Sequence, residues 1–275
     1  VGHVALMPDC HVGYGMPIGG VIACDNAVIP NAVGVDIGCG MVAVQTDWPV
    51  AKLPGRSGIR ALLNAVKERV PVGEGHAHRD PQVWSGFDVY LDSLAEEHPA
   101  WCTAQGWALD ARNLGTLGGG NHFIELQQSD DGVVWLMVHS GSRNLGYRIA
   151  AHYHRLAQDL NARQGIDLPS RDLAFLEADS EVGQRYIRDM EFALAYAFEN
   201  RKRMMACFTE AVSDVLSGVE FLRTVNIHHN FAACEEAYGR QLWIHRKGAT
   251  SAKTGEAGII PGSMGTASYI VEGLG

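Results

Sequence analysis

Asp36 and Cys39 lie three residues apart in Asn31-Ala32-Val33-Gly34-Val35-Asp36-Ile37-Gly38-Cys39-Gly40, a glycine-flanked turn between apolar segments. Three histidines follow, each in a polar loop of its own: His122 in Gly-Gly-Gly-Asn-His-Phe, His139 in Val-His-Ser-Gly-Ser-Arg and His229 in His-His-Asn. Carboxylate, thiolate and imidazole are the side chains that bind transition metals. Taken singly, a buried cysteine usually packs, and a histidine after a strand usually sits in an ordinary hydrogen bond. The shared setting changes that reading, because loops at strand ends are where a scaffold presents reactive groups. These donors exceed what one tetrahedral ion takes, and a thiolate has lone pairs for two cations. The set therefore suits a two-metal cluster bridged by Cys39, and two ions about 4 Å apart suit phosphoryl chemistry. Ligand type alone would name zinc, which favours mixed nitrogen and sulfur sets.

A second layer is suited to anions. Gly118-Gly119-Gly120-Asn121, Ser140-Gly141-Ser142-Arg143 and Pro261-Gly262-Ser263-Met264-Gly265-Thr266 are loops able to aim several backbone N–H groups at a phosphate. Arg143 and the pair Arg246-Lys247 add cations suited to phosphate or an RNA backbone. Glu125, four residues past Asn121, is either an acceptor for a purine's N1–H and exocyclic amine or an ordinary strand carboxylate. His76 and His78, in the polar stretch 72–85, read as solvated rather than ligating.

The elements that must position these groups are of mixed type. Val21-Ile22-Ala23, Val42-Ala43-Val44, Phe123-Ile124-Glu125-Leu126 and the run from Val133 to Val138 read as strands. Ile59, Leu62, Leu63, Val66 and Val70 predict a helix that Ser57 can cap and Pro71 ends. Helical patterns dominate from about Leu145 to Leu216, broken at Asp167-Leu168-Pro169-Ser170. Within them Tyr186, Met190, Leu194 and Phe198 predict a core-facing stripe, and Asn200-Arg201-Lys202-Arg203 a solvated face. Strands return from Val225. The ligand candidates span residues 36 to 229, so their meeting requires one interwoven domain over 1–275 rather than two.

Bulk properties set outer limits. The 275 residues are 47% apolar and 19% charged, a composition that supports a buried core. No apolar run reaches the roughly 18–20 residues of a membrane helix. The formal charge of −9 argues against holding duplex nucleic acid by overall field, while leaving room for local basic patches and metal ions. Six cysteines at irregular spacing, without a Cys-x-x-Cys pair, point to free thiols in a reducing cytoplasm. Cys10, Cys24, Cys102, Cys207 and Cys234 are expected to pack mostly as small apolar groups. Val1 in place of Met and the stop at Gly275 lead us to expect that both ends are cut.

Several long motifs occur in the order of one family. They are Met7-Pro8-Asp9-Cys10-His11-Val12-Gly13-Tyr14-Gly15, Val33-Gly34-Val35-Asp36-Ile37-Gly38-Cys39-Gly40 and Leu117-Gly118-Gly119-Gly120-Asn121-His122-Phe123. His139-Ser140-Gly141-Ser142-Arg143, His228-His229-Asn230, His245-Arg246-Lys247-Gly248-Ala249 and Pro261-Gly262-Ser263-Met264-Gly265 complete the set. From Val1 to Gly275 the chain resembles the RtcB-type RNA-splicing ligases, 3′-phosphate/5′-hydroxyl RNA ligases. The resemblance implies an α+β fold of the family's own type, a β-rich core wrapped by helices.

It also implies an enzyme that uses GTP and two Mn2+ ions to join an RNA 3′-phosphate or 2′,3′-cyclic phosphate to a 5′-hydroxyl. A histidine carries GMP, GMP passes to the RNA 3′-phosphate, and the 5′-hydroxyl displaces it. Motif matching makes Asp36, Cys39, His122, His139 and His229 the metal ligands, with manganese replacing the zinc expected from donor type. Nucleotide contacts fall to Asn121, His122, Phe123, Ile124, Glu125, His229, Asn230, Pro261, Gly262, Ser263, Met264 and Ser268, and an RNA phosphate to Arg143. Archease is a candidate activating partner, and tRNA splicing or RNA repair the setting. The family's GMP-accepting histidine, in a His-Gly-Ala-Gly-Arg motif, and a nucleotide-contacting lysine are expected beyond Gly275. On that reading this segment alone does not form the covalent intermediate. Two other classes stay open: a binuclear metallohydrolase acting on phosphoesters, which the metal set and Gly/Ser loops serve equally, and a non-catalytic nucleotide- or RNA-binding relic, supported only by the missing C-terminal motif.

Overall fold

The computed structural model describes residues 2–94, 98–263 and 265–275. Along the chain run β1 (His3–His11), β2 (Ile18–Cys24), β3 (Ala27–Val28), α1 (Pro30–Val33) and β4 (Gly40–Pro49). Next come α2 (Arg56–Arg69), α3 (Ser85–Ser93), α4 (Ala104–Asn113), β5 (Phe123–Gln128), β6 (Val133–Ser140) and α5 (Arg143–Arg163). After β7 (Leu176–Glu177) and α6 (Glu181–Val215) the chain ends in β8 (Phe221–His228), β9 (Asn230–Ala237), β10 (Arg240–Lys247), β11 (Ala257–Ile260) and β12 (Tyr269–Glu272). The fold is α+β, as expected.

Two antiparallel four-stranded sheets carry it, in the orders β5-β6-β4-β8 and β1-β2-β10-β9. In the first sheet the alternation of strand side chains sorts the sequence onto two buried faces. Val42, Val44, Leu136 and Val138 pack with α2 and α6 residues such as Leu62, Val66, Met204 and Phe208. Their neighbours Met41, Ala43 and Met137 point the other way, against Val225 and Ile259. This double burial explains why β4 and β6 read as unbroken apolar runs. The shortest connection between the sheets is His229, which alone separates β8 from β9.

Helix α6, 35 residues long, spans two cores. Its N-terminal half, with Tyr186, Met190, Ala193 and Tyr196, packs against α5 residues Leu145, Ile149 and Tyr153. Its C-terminal half, with Met204, Met205, Phe208 and Val212, packs on the first sheet. The expected four-residue stripe starts correctly at Tyr186 and Met190 and then fails, because Phe198 is 42% exposed. Four residues turn a helix by about 40° more than a full circle, so a strict four-residue repeat leaves the core after two steps. The buried line instead follows 3.6-residue spacing and runs through Asn200 and Arg201, both 0% exposed. These two were expected to be solvated, and their burial is a correction with functional weight.

Other expectations need adjusting. Helix α2 is capped at Gly55 with no side-chain bond, leaving Ser57 inside it, and Ile59 and Leu63 are exposed. Among the five non-ligand cysteines only Cys24 is buried, while Cys234 is exposed. All six cysteines are free thiols. Arg246 and Lys247 are buried rather than offered to a phosphate. Arg246 forks onto Glu235 at 2.7 and 3.0 Å, and Lys247 Nζ donates to the carbonyls of Tyr14 and Asn31. Among the described residues no helix is long and apolar enough to cross a membrane.

Beside that pair, His245 is wholly buried and accepts the Ile29 N–H on Nε2 at 2.9 Å. Burial pulls its pKa down to about 4, so the fold holds a neutral imidazole. Unfolded histidine takes up its proton near 6.5. Its contribution to stability is therefore complete above pH 6.5 and is lost as pH falls from there towards 4. Urea unfolding at pH 6.5 and pH 5 should show a smaller stability difference in His245→Gln than in the parent. An unchanged difference would contradict this account of His245.

Candidate metal centre

The first sheet brings four chain ends to one edge. Cys39 immediately precedes β4 and His122 immediately precedes β5, while His139 is the penultimate residue of β6 and His229 follows β8. Antiparallel pairing aligns them: Gly40 faces Ser140 on one side and His228 on the other, and Phe123 faces His139. The backbone closes the junction, since the His229 N–H donates to the Cys39 carbonyl at 2.8 Å. A one-residue register slip would turn these side chains to the opposite face, so the two buried faces of the sheet also fix the site.

Asp36 joins from the loop after α1. The Ser142 N–H, left without an intrahelical partner at the start of α5, donates to Asp36 Oδ1 at 3.1 Å. The carboxylate presses against Gly141, where any Cβ would collide with it. Glycine is therefore required at that position by close approach.

The five donors form two overlapping groups, Cys39–His139–His229 and Asp36–Cys39–His122, in each of which the ligand atoms lie within 4.8 Å of one another. Cys39 Sγ belongs to both and lies 3.2 Å from His139 Nε2 and 3.6 Å from His122 Nε2. His122 Nε2 is 3.0 Å from Asp36 Oδ2, and His139 Nε2 is 3.3 Å from His229 Nε2. Backbone carbonyls hold the far ring nitrogens of two imidazoles. Leu117 O lies 2.9 Å from His122 Nδ1, and Asn121 O 3.0 Å from His139 Nδ1. From these partners we assign the protons to Nδ1, which leaves both Nε2 lone pairs facing the shared sulfur.

Electrostatics agree with a cation site. Burial, reinforced by the charge of His122, pulls His139 down to about 4, and burial drives His229 well below the usual histidine range. Both are neutral donors near pH 7. Burial would raise the Asp36 carboxyl, but the hydrogen bond and charge of His122 outweigh it and hold the group ionised. Burial and the Asp36 charge push the Cys39 thiol well up, so thiolate formation there couples to cation binding. Asp36, Cys39, His122, His139 and His229 would suit two divalent ions, with Cys39 common to both donor groups.

The candidate anion and nucleotide residues divide. Arg143 adopts a left-handed φ of 59° and lays its guanidinium over Gly118, where a side chain would displace it. Its Nε donates to Thr116 Oγ1 at 3.2 Å, and Asp36 feels its charge. Glu125, Ser263 and Ser268 line a groove of ≈ 800 Å³ with Gln45, Gln127 and Trp135. Phe123 leans on His139 with ring centroids 5.4 Å apart, on the face that also bears Glu125. Ile124 instead packs into the core beneath, so only its backbone can meet a ligand. Asn230 spends its amide internally, donating to Asp36 O and accepting from Gly248 N–H. Asn121, Pro261 and Gly262 are exposed; Met264 lies outside the described residues.

Sequence reasoning missed the support behind the ligands. Arg201 donates to Gly38 O, Ser140 O, Asn226 Oδ1 and His228 Nδ1. Asn200 bonds the loop at Gly115–Thr116 and the Gly141 carbonyl. Projecting α6 at 3.6 residues per turn would have placed both on the buried line.

The family model described as "tRNA-splicing ligase RtcB" matches residues 1–275. RNA-splicing ligase RtcB of Escherichia coli strain K12 is 37% identical over 292 residues, covering 99% of this chain and 70% of that protein. RNA-splicing ligase RtcB1 of another Escherichia coli strain is 38% identical over 99% of this chain and 70% of its own length. tRNA-splicing ligase RtcB of Thermococcus kodakarensis is 32% identical over 334 residues, covering 98% of this chain and 68% of that protein.

Because the two ligand groups share one sulfur, single substitutions should separate them. Metal analysis after equilibrium dialysis should find both ions lost in Cys39→Ala and one lost in His122→Ala, with far-UV dichroism unchanged in each. Full metal content in Cys39→Ala would remove the bridge.

Proposed function

This chain belongs to the RtcB family of RNA-splicing ligases, and from that premise we propose that it joins an RNA 3′-phosphate or 2′,3′-cyclic phosphate end to a 5′-hydroxyl end, using GTP and two manganese ions, in the cytoplasm. The observation that carries this reading is the pair of donor groups sharing Cys39, set beside Arg143 and next to the groove that holds Glu125. When bound, the two ions offset phosphate charge and hold the reacting oxygens in line.

The chain's own residues supply the rest. Neutral His139 and His229 and ionised Asp36 present lone pairs without first losing a proton at neutral pH. Arg143 offers its guanidinium to an RNA phosphate from a backbone held in an unusual conformation, a form of positioning common where geometry must be fixed. Glu125 accepts from the N1–H and exocyclic amine of guanine, donors arranged differently in adenine. Two residues along β5 separate it from Phe123, about 7 Å, so a base at Glu125 leaves its phosphates towards the ligands. Ser263 and Ser268 close the far wall. We assign none of the described histidines the GMP-accepting role: His228 is held by Arg201 and His245 is buried in the fold.

Incubating the complete gene product with manganese and α-labelled GTP should leave acid-labile label on the protein, and adding RNA with 3′-phosphate and 5′-hydroxyl ends should give the spliced strand. Absence of label and ligation with intact metal loading would favour a binuclear phosphohydrolase. In the same assay Glu125→Ala should lower the preference for GTP over ATP by about 10-fold or more, the size of a lost charge-assisted hydrogen bond. An unchanged ratio would remove Glu125 from base selection.

A further inference from the structure

Behind the ligands, α6 crosses the end of the first sheet with two consecutive polar residues that solvent never reaches. Arg201 bonds neutral partners, and those partners share one property. Its Nη1 donates to Gly38 O at 2.8 Å and Ser140 O at 3.0 Å, and its Nη2 donates to His228 Nδ1 at 3.1 Å. Gly38 precedes Cys39, Ser140 follows His139, and His228 precedes His229. One planar fork therefore holds the residue next to each member of the Cys39–His139–His229 group, by the backbone at Gly38 and Ser140 and by the imidazole at His228. Its Nε donates to Asn226 Oδ1 at 2.8 Å, which ties the fork to β8.

Asn200 reaches the other group. Its Oδ1 accepts the N–H groups of Gly115 at 2.7 Å and Thr116 at 3.1 Å. The next residue, Leu117, holds His122 by its carbonyl. The Asn200 Nδ2 lies nearest Gly141 O, at 3.0 Å, with Thr116 O at 3.2 Å and Ser140 Oγ at 3.3 Å, and Gly141 with Ser142 forms the seat of the Asp36 carboxylate. An amide with both ends in use and a guanidinium in a dry interior are costly to bury unless fully bonded.

We propose that Asn200 and Arg201 are positioning residues that divide the centre between them, Arg201 setting the Cys39–His139–His229 half and Asn200 setting the Asp36–Cys39–His122 half. This rests on the reading of the site as a two-metal centre. A general structural role would loosen both halves together, whereas this arrangement makes each residue's loss selective. Partners that orient metal ligands from behind are typically worth about 10–100-fold in metal affinity.

Cobalt(II) titration, read by the thiolate-to-cobalt absorption band and by stoichiometry, tests the division. The parent protein should bind two ions per chain. Arg201→Lys keeps the charge and loses the fork; it should retain one tight ion and weaken the other about 10–100-fold. Its one-ion spectrum should match that of His139→Ala. Asn200→Ser should show the reverse selection, with a spectrum matching His122→Ala. Should Arg201→Lys fail to fold, Asn226→Ala removes one partner of the same fork and should weaken the same half more mildly. Equal weakening of both ions in folded Asn200 and Arg201 variants, or no weakening in either, would overturn the division. Fewer than two ions in the parent would instead overturn the two-metal reading beneath it.

Discussion

Lone pairs crowded around one sulfur set the terms for this molecule. Nε2 of His139 lies 3.2 Å from Cys39 Sγ and 3.3 Å from Nε2 of His229, in a pocket where burial keeps both imidazoles neutral. Once the Cys39 thiol gives up its proton, donors so placed repel one another in a low dielectric, and a cation among them would offset that. Much of the surrounding structure resists their separation. Carbonyls of Leu117 and Asn121 fix two rings, the start of α5 holds Asp36, and the guanidinium of Arg201 ties three ligand-bearing segments from behind.

The architecture explains how remote segments meet with this accuracy. Two buried faces pin the register of β4 and β6, β8 pairs along β4, and registry places Gly40, Ser140 and His228 side by side. The chain then leaves the first sheet through His229 and enters the second as β9, so a candidate ligand sits at the one-residue link between β8 and β9. Helix α6 supports that link over two separate apolar cores. A polar pair where the cores meet costs burial energy, and the hydrogen bonds of Asn200 and Arg201 offset it.

Much of the site was legible because its chemistry is local in sequence. Asp36, Cys39, His122, His139 and His229 stand in short glycine-rich loops, and the loops' flanking runs alternate as strands do. The paired apolar runs of β5 and β6 and the long helical stretch of α5 and α6 were equally readable. What escaped depends on partners far away in the chain. Helices α3 and α4 were passed over, since their apolar content, Phe87, Tyr90 and Trp107, joins an aromatic cluster built with Phe192. Arg246 looks like a free phosphate binder until Glu235, eleven residues earlier on β9, claims its fork. Asn200 and Arg201 carry the composition of a solvated face, and only the helical phase betrays their burial. Glu125 stays ambiguous in sequence because a strand carboxylate gains meaning only from the loop 261–268 folded opposite it.

X-ray absorption on the manganese-loaded protein addresses the central claim most directly. The account predicts sulfur in the first shell of both ions and a metal–metal vector of about 3.5–4 Å. Sulfur seen by one ion alone, or two ions with no mutual scattering, would contradict a thiolate held in common.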